Sequence, residues 1–179
     1  MFINTVDPDV LTGYNILSFD FWYLIKRAEF LHIPQWAVLG RLLNDMSEVH
    51  KTKRKNKAAK PLRIEGRVVL DMMKEIQQTY TGHQRPPSYG LNDVGKHILN
   101  SEKEDVPYAM IETLQKGDDI SRVQLAIYCL KDAYLPLMML DKLLIKGWDK
   151  PPSERLGSRL HEAFERQQLD RPKNSYYTC

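Results

Sequence analysis

The 179-residue sequence predicts a helix-rich α/β domain with an incomplete sheet. Two segments, Val10–Tyr14 and Arg67–Leu70, have the apolar and β-branched character of short strands. Each strand is followed by a stretch whose apolar residues recur at helical spacing, and more helices follow the second one. Two strands are too few for a stable sheet with helices on its faces. We therefore expect the chain to be part of a larger fold.

The helices follow from the spacing of apolar residues, and the predicted segments are Phe19–Leu31, Asp71–Tyr80, Leu91–Leu99, Tyr108–Gln115, Ser121–Leu144 and a polar helix over Leu156–Leu169. Ser121–Leu144 is apolar on both sides. One apolar arc runs from Val123 to Leu137, whereas Leu125 and Met139 lie on the opposite side. A helix of this kind is expected to be largely buried, with the arc covering the sheet.

Composition excludes several classes of protein. Apolar residues make up 42% and charged residues 27% of the chain, which is ordinary for a globular protein. The N-terminal residues resemble no secretory signal, and the uncharged apolar stretches are shorter than a membrane span requires. The two cysteines, Cys129 and Cys179, form neither a disulfide framework nor a zinc motif. We expect a reducing, intracellular environment.

The net charge of +3 does not by itself indicate nucleic-acid binding. Basic residues are concentrated, however, between Lys51 and Lys60, within a polar loop that we expect over Asn44–Lys60. A run of this kind is either a solvated loop or a set of phosphate contacts, and both interpretations stay open.

Asp20 is the first candidate functional residue. It follows Val10–Tyr14 and begins a predicted helix, so it lies near the carboxyl end of a strand, where α/β sheets bind ligands. The alternative is that Asp20 only caps the helix.

Tyr128 and Asp132 form the second candidate site. Their i, i+4 spacing places a phenol and a carboxylate on one helical face. The carboxylate is suited to a hard divalent cation, and the phenol to orienting a water molecule. The alternative is a buried Tyr–Asp hydrogen bond. A third acidic residue, Asp71, is interpreted as a helix cap.

Two motifs together resemble a known family. The segment DPDVLTGYNILSFDFWYLIKRAEFL resembles the middle exonuclease motif of family B DNA polymerases, and AIYCLKDAYLPL resembles the third motif, Tyr-x-x-x-Asp. The intervening RIEGRVVLDMMKEIQQTY, SYGLNDVGKHIL and EKEDVPYAMIETLQKGD resemble the connecting region of the polymerase delta branch. The similarity runs from about Asp7 to Leu144. It implies a partial, helix-rich ribonuclease-H-like exonuclease fold over residues 1–146 that lacks its first strands, followed by a divergent, linker-like tail with a short helix over 147–179.

The resemblance also implies roles for individual residues. Family members hydrolyse phosphodiesters with two metal ions, Mg²⁺ or Mn²⁺. By motif position, Asp132 would ligate the metal that activates water, Tyr128 would orient that water, and Asp20 would help to hold the second metal. Asn15 and Phe19 would contact the 3′-terminal nucleotide of single-stranded DNA. The implied partners are DNA and the rest of a polymerase delta holoenzyme in the nucleus, with no membrane.

The sequence departs from the family pattern in one decisive respect. The first exonuclease motif, Asp-x-Glu, occurs nowhere in the 179 residues, and no polymerase motif is present. We expect the chain to be inactive alone, as a piece of a proofreading 3′→5′ exonuclease domain. The alternatives are a non-catalytic relative that binds DNA or a partner, and a gene-model fragment that does not fold. A smaller departure is Trp22, where the family tends to have proline.

Overall fold

The computed structural model describes residues 2–33, 39–41, 64–100, 106–146 and 156–169. The basic run of the predicted Asn44–Lys60 loop and the last ten residues lie outside this part of the chain. Two compact units are present. One comprises Met1–Asp71 with Asp149–Cys179, and the other comprises Met72–Trp148.

The element order is helix–strand–helix–strand followed by helices: α1 (Phe2–Val6), β1 (Val10–Gly13), α2 (Asp20–Phe30), β2 (Val68–Asp71), α3 (Met72–Thr79), α4 (Leu91–Leu99), α5 (Tyr108–Lys116), α6 (Asp119–Lys146) and α7 (Leu156–Leu169). A 3-10 turn, Gly82–Gln84, lies in the predicted turn after α3. The predicted helices and strands are therefore confirmed, and their ends agree with the prediction to within two residues. Helix α1 was not predicted, because five residues are too few to show a helical period.

In the first unit, β1 and β2 form a two-stranded parallel sheet. The register pairs Val10 with Val68 and Gly13 with Asp71. The Thr12 hydroxyl adds a bond across the pair by donating to the Leu70 carbonyl at 3.0 Å. Parallel strands require a long crossover connection, which here contains α2. The expected helix-rich α/β character is thus present, with a small two-stranded sheet among the described residues.

Helix α2 buries one face in this unit. Phe21, Ile25 and Ala28 are buried. The helix was predicted from an apolar stripe in which Leu24 and Leu31 recur with these three residues at i, i+3, i+4, i+7 spacing, but Leu24 and Leu31 are exposed. The stripe is narrower than predicted, because Leu24 lies about 100° from Ile25 around the helix axis and so turns away from the core. Near the start of α2, the core cluster contains Ile16, Phe21, Leu39 and Ile64.

A buried arginine also holds the first unit together. Arg67 is only 2% exposed. Its guanidinium donates to the carbonyls of Leu39 and Pro8 and to the Asp7 carboxylate, at 2.9, 2.5 and 2.8 Å. Arg41 donates to the same Asp7 oxygen at 2.7 Å. These two guanidinium groups hold the pKa of Asp7 below its usual range, the Arg41 hydrogen bond having the largest effect, although burial opposes the shift.

The second unit is helical, and α6 packs within it against α3, α4 and α5. Of the α6 side chains that the structure describes, five are buried: Leu125, Leu135, Pro136, Met139 and Leu143. The opposite arc, from Val123 to Leu137, was predicted to be buried but is exposed. This correction has a physical reason: a helix that is apolar on both sides has no dominant apolar face in its sequence, so periodicity does not reveal which side packs.

Helix α6 also has a long apolar run and an internal proline. The segment Asp119–Ile145 is long and apolar enough to cross a membrane by length and composition alone, with a mean hydropathy of 1.2 over its best window. The core helices of soluble proteins also meet this criterion, and Lys131 and Asp132 interrupt the apolar run near its middle. Pro136 lies inside the helix and is almost completely buried.

Candidate functional site

The first candidate site lies where the two parallel strands end. Because Gly13 is paired with Asp71, the carboxyl ends of both strands meet at one edge of the sheet. The chain leaves β1 through a tight turn. Gly13 is required there, because a Cβ at this position would overlap the side chain of Ile16. Asn15 adopts the left-handed conformation, with φ of 60°, which asparagine tolerates better than most residues.

Asp71 holds this turn in place. One oxygen of its buried carboxylate accepts the backbone N–H of Asn15 at 2.8 Å, and the other accepts that of Leu17 at 3.2 Å. Asp71 does precede α3, as expected of a helix cap, but these two bonds give it a role that the sequence interpretation missed. The sequence did contain a signal for a role of Asp71 at this edge: an aspartate at the carboxyl end of an apolar strand lies at the ligand-binding edge of a parallel sheet.

Asp20 is the first residue of α2, directly after the turn, and is exposed. The residue at the cap position is Phe19, which makes no side-chain capping bond. Asp20 therefore places its charge in the first helical turn and is not the cap residue itself. Partial burial raises the pKa of Asp20, and the negative charge of Asp71 raises it further, while a backbone hydrogen bond lowers it.

Asn15 and Phe19, the other two candidates of the middle motif, lie in the turn between β1 and α2. The carbonyl of Asn15 accepts the backbone N–H groups of Ser18 and Phe19, at 3.2 and 3.0 Å. The ring of Phe19 is 62% exposed and is stacked on the ring of Tyr23, with centroids 6.4 Å apart and planes inclined by 9°. The structure thus brings Asn15, Phe19 and Asp20 together on one short segment, with Phe19 available for contact.

Tyr128 and Asp132 belong to the second unit and lie one turn apart on α6. Both are half-buried. Asp132 was expected to be a carboxylate on a largely buried helix. The structure corrects the burial of the helix, because the arc from Val123 to Leu137 is exposed, but Asp132 lies on the opposite side, with the buried Leu125 and Met139. Tyr128 lines a cavity of about 290 Å³ between α5 and α6, together with Val106, Leu114, Gln124, Ile127 and Lys131.

The N-terminus of α6 supplies a feature that the sequence interpretation did not identify. The Asp118 carboxylate accepts both the backbone N–H and the hydroxyl of Ser121, at 2.9 and 2.7 Å. The bond from the Ser121 backbone N–H is the main reason why the pKa of Asp118 is lowered. This cap fixes where the helix that carries Tyr128 and Asp132 begins.

A metal centre needs several ligands in one place. Among the described residues, no group of three or more His, Cys, Asp or Glu side chains is arranged to hold a metal ion. Asp20 and Asp132 each offer one carboxylate, on separate units. The described residues therefore do not form a complete two-metal centre.

Comparison with known proteins gives a consistent result. The family model for the exonuclease domain of family B DNA polymerases matches residues 1–94, which include Asn15, Phe19 and Asp20. The chain is 43% identical over 149 residues to a DNA polymerase delta catalytic subunit of Dictyostelium discoideum. It is 45% identical over 148 residues to that of Schizosaccharomyces pombe, and 41% identical over 149 residues to that of Bos taurus.

Each of these alignments covers 80% of the chain but only 13% of the relative. An alignment of that extent leaves at most about 36 residues uncovered at either end, so it includes Tyr128 and Asp132. The motifs of both units thus lie within the region of similarity. The family model covers more than half of the 179 residues, and the chain therefore belongs to the family B DNA polymerases, within their exonuclease domain.

Proposed function

We propose that this chain is part of a delta-type proofreading 3′→5′ exonuclease domain and that it holds the 3′-terminal nucleotide of a single DNA strand. The observation that carries this proposal is the turn Asn15–Phe19, which Asp71 holds through two backbone hydrogen bonds. The turn leaves the Phe19 ring exposed at the carboxyl edge of the sheet. A fixed turn with an exposed aromatic ring is suited to stacking on a terminal base.

In this proposal residues 1–146 are a partial ribonuclease-H-like exonuclease domain. Asp20 and Asp132 are carboxylates for Mg²⁺ or Mn²⁺, and Tyr128 orients a water molecule. The metal ions would supply charge stabilisation for the attacking and leaving oxygens. Because the described residues do not complete such a centre, and no Asp-x-Glu occurs in the sequence, we expect the chain alone to bind a 3′ end without hydrolysing it.

A second candidate function is a non-catalytic relative that binds DNA or a partner protein. The absence of Asp-x-Glu from the 179 residues favours it over a free-standing nuclease. DNA replication in the nucleus, as part of a polymerase delta holoenzyme, is the setting that fits the first candidate.

Both candidates are tested by two assays on the full chain. The first incubates a 5′-labelled single strand with Mg²⁺ or Mn²⁺ and compares the chain with Asp132→Ala. We expect no degradation above that variant, and robust degradation that the substitution removes would contradict inactivity.

The second assay measures affinity by fluorescence anisotropy for a linear oligonucleotide with a free 3′ hydroxyl and for a circular oligonucleotide of the same sequence. Stacking of one terminal base is worth about 1–3 kcal/mol, which corresponds to a preference of roughly 5- to 100-fold for the linear strand. Equal affinity for the two strands would refute the 3′-end proposal.

A further inference from the structure

Helix α2 presents an exposed face of unusual composition. The side chains on this face span about 140° around the helix axis, opposite the buried residues Phe21, Ile25 and Ala28. Four of them are aromatic, between 43% and 72% exposed, and two are cationic: Phe19, Trp22, Tyr23, Lys26, Arg27 and Phe30. A helix face that is aromatic and basic, but not aliphatic, is uncommon on a protein surface, since large exposed rings usually mark a contact site.

The rings and cations of this face are ordered by contacts among themselves. At the N-terminal end, Phe19 and Tyr23 are stacked nearly in parallel. At the other end, the Arg27 guanidinium lies over the Phe30 ring, with Cζ 5.4 Å from the ring centroid. Lys26, between the two ends, is paired with Glu29, so Arg27 is the cation that carries most of the available positive charge. Rings that are already ordered lose little conformational entropy when a ligand binds.

We propose that the exposed face of α2 is a binding surface for single-stranded nucleic acid. Bases stack on Phe19, Trp22, Tyr23 and Phe30, and Arg27 contacts a phosphate. Proteins that bind single strands combine the same two elements, aromatic platforms and a positive backbone track. The inference deepens the proposed function, because it extends the contact from the terminal nucleotide at Phe19 to nucleotides further along the strand.

The dimensions of α2 limit how much of the strand it can hold. From Phe19 to Phe30 the helix advances about 16 Å, at 1.5 Å per residue. That length accommodates roughly two to four nucleotides, within or just below the site sizes of known single-strand modules. The surface is independent of a free 3′ end, and it should therefore also bind a circular strand.

Affinity for a circular single-stranded oligonucleotide is the measurement that tests the surface. It is compared, by fluorescence anisotropy, for the full chain and its Tyr23→Ala, Phe30→Ala and Arg27→Gln variants. Each ring substitution should weaken binding roughly 5- to 100-fold. Arg27→Gln should reduce the slope of log affinity against log salt by about 0.7, since one phosphate contact is lost. Leu24→Ala is the matched control, because Leu24 is equally exposed on the same helix but lies off the aromatic face.

Direct contact is tested by tryptophan fluorescence. The sequence has three tryptophans, so a Trp36→Phe, Trp148→Phe double variant leaves Trp22 as the single reporter. Stacking of a base on Trp22 should quench its emission with the same midpoint as the anisotropy change. Circular dichroism of each variant verifies that the helix content is unchanged, which separates lost binding from lost folding.

The possible outcomes separate this inference from the proposed function. If the linear strand is preferred but the α2 variants bind either strand like the parent chain, the 3′-end proposal stands and the α2 surface is refuted. Failure of the circular strand to bind also refutes it. If Tyr23→Ala abolishes a concentration-dependent dimer and leaves oligonucleotide affinity unchanged, the face is a protein contact and the inference is wrong.

Discussion

Replacing Asp71 should destabilise the first unit more than any nearby surface substitution. The carboxylate is 3% exposed and accepts two backbone N–H groups of the turn after β1. Asp71→Ala removes both acceptor oxygens at once. The partly buried backbone N–H groups of Asn15 and Leu17 then lose their hydrogen-bond acceptors. Asp71→Asn keeps one acceptor oxygen but directs an amide group at the second N–H.

The expected loss of unfolding free energy follows from the charge of the Asp71 acceptor. A hydrogen bond to a charged group contributes about 1.5–3 kcal/mol, and a buried donor that loses its acceptor costs about 1–3 kcal/mol. The bond at 3.2 Å is the weaker of the two. We therefore expect Asp71→Ala to lower the free energy of unfolding by about 3–5 kcal/mol, and Asp71→Asn by about half as much. Against a typical total of about 5–15 kcal/mol, such a loss is large.

Urea unfolding followed by circular dichroism measures this loss. Thr12→Val is the matched control, because it removes one hydrogen bond between the same two strands without changing side-chain volume. The control should lose only about 0.5–1.5 kcal/mol. If Asp71→Ala is no more destabilising than Thr12→Val, the turn does not depend on the carboxylate, and the reasoning fails.

Three further predictions concern charge and surface. Hydrogen bonding to Arg41 lowers the pKa of Asp7 in the folded protein. The stabilisation that Asp7 provides is therefore present above about pH 4 and is lost as the pH falls through the folded-state pKa. Asp7→Asn should flatten this part of the curve of unfolding free energy against pH. Asp71→Asn removes a negative charge near Asp20, so the pKa of Asp20 should fall. NMR titration measures this pKa, and an unchanged value would exclude electrostatic coupling between Asp20 and Asp71. The exposed apolar arc of α6 should cause concentration-dependent association, which Leu130→Glu should reduce in sedimentation experiments; an unaltered association would place the contact elsewhere.

The sequence predicts most elements of this fold but not which faces are buried. On α2, Phe21 and Ile25 belong to the helical repeat of apolar residues and are buried, whereas the charged Lys26, Arg27 and Glu29 lie outside that repeat. Helix α6 offers no such contrast. Val123 and Leu125 are equally apolar, and only the tertiary contacts of α6 with α3, α4 and α5 decide that Leu125 is buried. Periodicity carries information about a face only where the other face is polar.

The candidate site shows a different limit. Asn15, Phe19 and Asp20 were identified through the resemblance to the middle exonuclease motif, and they lie on one short segment between β1 and α2. The function of Asp71 was missed, because the residue is 56 positions from Asn15 in sequence and the parallel pairing alone brings the two together. Asp71 was interpreted from its own neighbours, which point to a helix cap. Register, and not local pattern, determines such long-range contacts.

Pro136 has a consequence for the geometry of the candidate carboxylate on α6. Proline has no amide hydrogen, so the backbone bond that an α-helix would direct from position 136 to the carbonyl of Asp132 is not formed. Helices bend most readily where this ladder is interrupted. The direction of the Asp132 side chain thus depends on the curvature of α6 at that point. Substitutions near Pro136 that change the curvature of α6 would therefore move the carboxylate without altering any residue that touches it.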